Sequence, residues 1–185
     1  MKNKTILWVV IAMALALSTF SAVPASAADV GVYGSYWATD DADNALGGGA
    51  KVSFGIFELR AAYFSDVTAD TEPESRDFEI KVTPLEAGLV FKFAQGDRFT
   101  PYAGGGAGYY LLDTSRFDID DEAGFYAVLG ADIKGSSGLG FMIEGIYRNM
   151  EATVRGDLND NPDFDQEVDL QLGGLGVNAG VVWSF

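Results

Sequence analysis

Regular alternation of apolar and polar residues is the feature of this 185-residue chain that most restricts its fold. From residue 30 onward, apolar side chains recur at every second position in eight separate segments. A period of two belongs to a β-strand with two different faces, whereas an amphipathic helix repeats every 3.6 residues. The eight predicted strands are residues 30–39, 48–56, 59–67, 78–93, 99–112, 123–134, 139–150 and 170–185.

The connections between these strands alternate in length. The second, fourth and sixth are short, at residues 57–58, 94–98 and 135–138. The odd-numbered connections are longer, at residues 40–47, 68–77, 113–122 and 151–169. Short turns at one end and long loops at the other predict an all-β fold, an eight-stranded antiparallel up-and-down β-barrel.

The two faces of the predicted strands have the polarity opposite to that of a soluble barrel. One face is apolar and free of charge: a turn at Phe57–Glu58 would place Ile56 opposite Leu59, and Phe54 opposite Ala61. The other face carries glycine, tyrosine and charged residues. Because one Lys or Arg facing lipid at the bilayer midplane costs about 2–4 kcal/mol, a clean apolar face suits a membrane. We therefore predict a transmembrane barrel with its polar face inward.

Seven of the predicted inward positions carry charges, and the interior of an eight-stranded barrel has room only for side chains. An unpaired charge in so narrow a lumen would be costly, so the acidic and basic groups are expected to form a lumen ion network. Its predicted members are Lys51, Arg60, Glu86, Lys92, Asp132, Glu144 and Arg148. Two interpretations stay open: a structural network that fills the lumen, or a gate on a narrow ion path.

Aromatic residues are expected at the two membrane interfaces. One predicted rim carries Phe93, Phe99, Trp183 and Phe185, and the other carries Trp37, Tyr63 and Tyr109. In the fourth strand, the apolar positions change from even to odd numbers around Pro84. We interpret this change as a bulge or edge irregularity at Pro84, with residues 78–82 above the membrane.

The N-terminus predicts a cleaved secretory signal peptide over residues 1–27. Lys2 and Lys4 precede an apolar run, and Ala25-Ser26-Ala27 forms a small-residue cleavage site. The alternative, a single membrane helix, is disfavoured because the apolar run is short for a span. Residues 28–185 are then expected to form one outer-membrane β-barrel domain.

Composition argues against enzymatic function. The chain contains neither cysteine nor histidine, so it has no disulfide, no thiolate ligand and no usual general base. Outer-membrane enzymes that modify lipids rely on histidine. We expect no enzyme activity, no cofactor and no resident metal. The stretch from 157 to 167 has alternating Asp and Asn, but Pro162 replaces the loop glycine and Val168 the final glutamate of a calcium-binding EF-hand.

Acidic residues are concentrated in the four long connections. Together with Asp66 at the end of the third strand, these hold 20 of the 27 acidic residues but only three arginines, whereas the rest of residues 28–185 carries seven acids and seven bases. The acidic rim could gather divalent cations weakly or steer cationic ligands, or could simply be a solvated surface. Its sign disfavours nucleic acid.

Several segments resemble small outer-membrane β-barrel domains of the outer-membrane protein A, X and W superfamily. These are "TPLEAGLVFKF", "RFTPYAGGGAGYYLLD", "IEGIYRN" and the terminal "VVWSF". The resemblance implies residence in the outer membrane of a Gram-negative bacterium, among lipids and lipopolysaccharide. It also implies a C-terminal insertion signal, Val181, Trp183 and Phe185, that is read by the outer-membrane insertion machinery.

For the function, the resemblance leaves two hypotheses. The first is a monomeric protein with a structural or surface-interaction role and a closed lumen. The second is a porin-like narrow channel for small ions or hydrophobic solutes.

Overall fold

The computed structural model describes residues 28–40, 44–69, 78–93, 98–114, 118–119, 121–135, 138–156 and 166–185. The predicted signal peptide and the segment 157–165 lie outside the described residues, as do residues 41–43 and 70–77 of the acidic connections. Within the described ranges, we find no helix with the length and hydropathy needed to cross a bilayer.

Eight antiparallel strands close into a barrel, which confirms the predicted fold. Around the barrel they follow the order β1-β2-β3-β4-β5-β7-β8-β11, and β11 pairs with β1. Their bounds are β1 Ala28–Thr39, β2 Ala45–Phe54, β3 Phe57–Ala69, β4 Phe78–Lys92, β5 Phe99–Thr114, β7 Glu122–Lys134, β8 Leu139–Asn149 and β11 Gly174–Ser184. Because β2 begins at Ala45, the first loop is shorter than predicted.

The strand ends that are joined by residues 55–56, 93–98 and 135–138 lie together with the start of β1 and the end of β11. We call this the turn end of the barrel, and the opposite end the loop end. At the turn end, Val30 pairs with Trp183 across the closing ladder, and the Phe185 backbone N–H donates to the Ala28 carbonyl at 3.1 Å. The C-terminal strand is thus the one that seals the barrel.

Three further strands form a small sheet that continues from the loop end. They are β6 Asp118–Ile119, β9 Glu151–Gly156 and β10 Gln166–Gln171, in the order β10-β9-β6. These strands lie in the predicted loops, except for the end of β10, which lies in the predicted last barrel strand. That last strand divides at residues 172–173, and Gly174 begins β11 with a φ of 141°, a backbone conformation that favours glycine.

The hairpin between β2 and β3 turns two residues earlier than predicted. Its turn is Gly55-Ile56, where Gly55 has a φ of 60°, and Phe54 pairs with Phe57. The predicted turn at Phe57–Glu58, with Ile56 opposite Leu59, was wrong. A glycine adopts the positive φ of a tight turn at little cost, which fixes the turn here. Glu58 therefore belongs to β3.

The predicted irregularity at Pro84 was also wrong. Strand β4 pairs with β5 in continuous register, with Pro84 opposite Tyr110. The register shift lies instead between β3 and β4, between Phe64 and Val67. From Ile80 to Lys92 the even-numbered residues of β4 face inward, so Ile80 and Val82 are buried inside the barrel.

The barrel has an apolar outside. Seven large outward side chains of β8 and β11 are exposed by 43–66 %, and no outward side chain in these two described strands is charged. They include Leu139, Phe141, Ile143, Tyr147, Leu175 and Val177. Exposed apolar area of this extent is unusual for a soluble monomer and suits contact with lipid.

The inside of the barrel differs between its two ends. Charged side chains fill the middle and the turn end, whereas an apolar cluster fills the loop end. This loop-end cluster contains Trp37, Ala45, Phe64, Ile80, Val82, Leu112, Met150 and Leu172. Trp37 is fully buried there, 5.1 Å from the Phe64 ring, so its predicted place on the lipid-facing rim was wrong.

Candidate functional site in the barrel lumen

Glu144 is the centre of the charged part of the lumen. Its strand, β8, lies between β7 and β11, and the strand alternation turns Glu144 inward, with 1 % of the residue exposed. One carboxylate oxygen accepts hydrogen bonds from Lys51 Nζ at 2.5 Å and from Arg60 Nη2 at 2.9 Å. Tyr102 OH donates to the same oxygen at 2.7 Å, and Asn178 Nδ2 donates to the other at 3.0 Å. Four strands besides β8 thus converge on one carboxylate.

Glu58 is a second acceptor for the same cations. Arg60 donates to it through Nε at 2.9 Å and Nη2 at 2.6 Å, and Lys51 Nζ lies 3.5 Å from it. Ser53 Oγ also donates to Glu58, at 2.9 Å. Glu58 is absent from the predicted network because the alternation pattern places this residue in the turn. Gly55 was the signal that could have found it, since a glycine is the usual residue at a position of positive φ.

Arg148 and Glu86 form a separate pair next to the loop-end cluster. Arg148 Nε donates to Glu86 at 2.7 Å, and both side chains are buried. The guanidinium carbon lies 5.3 Å from the Trp37 ring and 5.7 Å from the Phe64 ring. These distances allow cation–π attraction, which is strongest away from water. The pair thus joins the charged and the apolar parts of the lumen.

Lys92 pairs with two carboxylates near the turn end. Its ammonium donates to Asp29, a residue that sequence analysis did not include, and lies 3.6 Å from Asp132. Lys92 and Asp29 keep about a fifth of their side chains exposed, whereas Asp132 is buried. All seven predicted charges therefore face the lumen, in three groups rather than in one continuous chain of contacts.

Tyrosine rings lie close to inward glycines of neighbouring strands. A Cβ atom added to Gly130 would lie 2.7 Å from Tyr102 Cζ, and one added to Gly49 would lie 2.6 Å from Tyr33 Cζ. Both are directly paired positions, Tyr102 with Gly130 and Tyr33 with Gly49. The inward glycines thus make room for the aromatic rings that position the network, since Tyr102 binds Glu144 and Lys51.

The residues of the predicted insertion signal lie at the turn end of β11. Trp183 and Phe185 point outward, and their rings stack 5.8 Å apart with an interplanar angle of 7°. Val181 pairs with Val32 on one side and Phe141 on the other. The stacked pair forms an aromatic patch at the edge of the apolar outside.

Several acidic residues of the connections are exposed at the loop end, among them Asp40, Asp113, Asp121 and Glu151. In the described part of the chain, no group of three or more acidic residues is arranged to hold a metal ion. Of the acidic residues between 157 and 167, where weak divalent binding was considered, all but Glu167 lie outside the described residues.

The sequence matches no protein-family model, and no curated protein matches it significantly. Solved structures do match its fold. The outer membrane protein OprG from Pseudomonas aeruginosa matches with a TM-score of 0.71 and 15 % identity, over 87 % of this chain and 96 % of OprG. The E. coli outer membrane protein W gives a TM-score of 0.54 and 14 % identity, over 88 % of this chain and all of that one.

A third structure, outer membrane protein AlkL in DMPC lipid bilayers, gives a TM-score of 0.54 and 15 % identity. The match covers 86 % of this chain and 90 % of AlkL. The chain therefore has the fold of the small eight-stranded outer-membrane barrels, as the resemblance to the A, X and W superfamily implied.

Proposed function

We propose that this chain is a non-enzymatic barrel protein of the outer membrane of a Gram-negative bacterium. Its lumen is closed by buried ion pairs, and its role is structural or in surface interaction. The membrane location is supported by the charge-free, exposed apolar faces of strands such as β8 and β11, together with the fold. Residues 1–27 then serve as the export signal.

The observation that carries the closed lumen is the convergence on Glu144. Lys51, Arg60, Tyr102 and Asn178 reach this carboxylate from different strands, and each of the four residues is at most 4 % exposed. Side chains that meet across a narrow barrel leave little room for ions to pass. The loop-end cluster adds an apolar layer beyond them, across which a hydrated ion would lose its water contacts.

The test is single-channel conductance of the purified, refolded protein in a planar bilayer. A heat-dependent shift in gel mobility first establishes that the barrel is folded. We expect no discrete conductance steps from the wild-type protein. The matched variant is Arg60→Ala with Glu144→Ala, which removes one cation and one anion and so keeps the net charge. We expect this variant to conduct if it folds. Discrete steps from the folded wild type would refute the closed lumen.

The second candidate function is a narrow channel for small ions or hydrophobic solutes. The observation in its favour is the loop-end cluster, an apolar interior that a solute without charge could enter by displacing side chains. Uptake of a small hydrophobic dye into vesicles that contain the barrel would support it, provided that Trp37→Arg abolishes the uptake without unfolding the protein.

The partners proposed for the chain follow from its surfaces. The apolar outside binds outer-membrane lipids and lipopolysaccharide, and the aromatic end of β11 is recognised by the insertion machinery during assembly. The acidic loop end supports weak binding of divalent cations, and its self-repulsion favours a monomer. Analytical ultracentrifugation in detergent, with and without Ca²⁺, tests the last two points.

A further inference from the structure

We propose that a cavity at the turn end of the lumen binds one small monovalent cation beside Asp132. The cavity is lined by the charged residues Asp29, Lys51, Glu58, Lys92 and Asp132, and by Ser53 and Tyr102 among others. The cavity has room for about one water molecule or an ion of similar size. The inference requires the barrel fold but not a closed lumen.

The buried charges of the lumen do not balance. Among the described residues, seven charged side chains belong to residues that are at most 4 % exposed. Three are cationic, Lys51, Arg60 and Arg148. Four are anionic, Glu58, Glu86, Asp132 and Glu144. Lys92 and Asp29, at the edge, add one charge of each sign, so this set of nine side chains carries one net negative charge. An uncompensated charge away from water is strongly unfavourable, and a bound cation would offset it.

Of the four buried carboxylates, Asp132 has the most distant cationic partner. Glu58, Glu86 and Glu144 each have a basic nitrogen within 2.7 Å. The nearest basic nitrogen to Asp132 is Lys92 Nζ at 3.6 Å, and that ammonium already donates to Asp29. Oδ1 of Asp132 has no hydrogen-bond partner among the described residues, although the residue is only 4 % exposed.

A second oxygen without a partner lies on the adjacent strand. Thr100 pairs directly with Asp132 across the β5–β7 ladder, and both residues face inward. The Thr100 hydroxyl is fully buried and also has no hydrogen-bond partner in the described part of the chain. Neighbouring carboxylate and hydroxyl oxygens are the ligand types that hard cations prefer. Asp132 lines the small cavity, and Thr100 is its paired neighbour on the next strand. An oxygen without a partner on each of these two residues therefore points to a bound ion.

The net charge of the lumen and the proposed oxygen ligands favour a monovalent ion. One positive charge balances the lumen, and two ammonium groups in the wall would repel a divalent ion more strongly. The described residues also bring no three acidic side chains together as a metal cluster. Sodium is the probe of choice because its size is close to that of the cavity.

The experiment measures thermal unfolding of the refolded, full barrel in detergent at fixed pH and ionic strength. Sodium chloride replaces N-methyl-D-glucamine chloride, whose cation is too large for the cavity. We expect the wild-type midpoint to rise in a saturable manner by about 2–4 °C. Asp132→Asn should lose this rise, because it removes the uncompensated charge. The control Glu151→Gln, which changes an exposed carboxylate at the loop end, should keep it.

Thr100→Ala provides a second test if Asp132→Asn does not fold. It keeps the charge but removes one proposed oxygen ligand, so more sodium should be needed for half of the rise. Equal wild-type midpoints in both salts would overturn the proposal, and would indicate that a proton on Asp132 balances the charge. A rise that persists in Asp132→Asn would overturn it too, by placing the effect elsewhere. Conductance plays no part in this readout, so its outcome is independent of the closed-lumen proposal.

Discussion

Truncation of Glu144 to alanine is expected to lower the free energy of unfolding by about 3–5 kcal/mol, the usual effect of removing one partner from a buried ion pair. The structure shows why the effect should lie in this range. Arg60 and Lys51 would both depend on Glu58, at 2.6 and 3.5 Å. Tyr102 OH and Asn178 Nδ2 would each lose their acceptor on Glu144. Each buried donor that is left without an acceptor adds about 1–3 kcal/mol unless water replaces the lost group.

The assay is equilibrium unfolding in urea of the protein refolded into lipid vesicles, followed by circular dichroism and by the heat-dependent gel shift. Glu151→Ala is the control, because an exposed carboxylate should change stability by no more than about 0.5 kcal/mol. The double variant Lys51→Met with Glu144→Met should be more stable than Glu144→Met alone, since it removes both members of the pair. A Glu144→Ala protein within about 0.5 kcal/mol of wild type would refute the structural role of the network.

Three further predictions concern other parts of the barrel. Gly130→Ala should destabilise the protein by about 1–3 kcal/mol in the same urea assay, because the added methyl group displaces the tyrosine ring that covers this glycine. Gly145→Ala should be nearly neutral, because the nearest atom would lie 3.9 Å from the added Cβ. Brominated lipids should quench the fluorescence of Trp183 in a Trp37→Phe variant, but not that of Trp37 in a Trp183→Phe variant; equal quenching would contradict the buried position of Trp37. Phe185→Ala should reduce assembly into the outer membrane of cells while the purified protein still refolds in detergent, and unchanged assembly would remove the proposed insertion signal.

The sequence could predict the barrel because its main determinants are local. Alternation along each strand, turn residues and loop lengths are readable one segment at a time, and together they require eight antiparallel strands. The two halves of the lumen could not be read in this way. The predicted interior was polar along its whole length. With such an interior, Ile80 and Val82 could be outside only if a bulge lay at Pro84, and Trp37 had to lie at the membrane interface.

The apolar cluster at the loop end is explained by contacts that exist only in the closed barrel. The inward residues near the loop end of β1, β3, β4 and β5 come together in space although they are far apart in sequence. They pack against each other and cover Arg148, which therefore has aromatic rings on one side and Glu86 on the other. Such a cluster depends on which strands are neighbours, and the period of two along a single strand carries no information about that.

The β2–β3 hairpin shows why the faces were predictable although the contacts were not. Moving the turn from residues 57–58 to residues 55–56 changes every cross-strand partner, so that Lys51 pairs with Arg60 and Ser53 with Glu58. The move is by an even number of residues, so each side chain keeps its face of the sheet. Parity alone placed Lys51 and Arg60 in the lumen, whereas the register brought Glu58 to them. Lys51 and Arg60 lie side by side, so a carboxylate is needed nearby to offset their repulsion. The register that pairs these two cations also places Glu58 next to them.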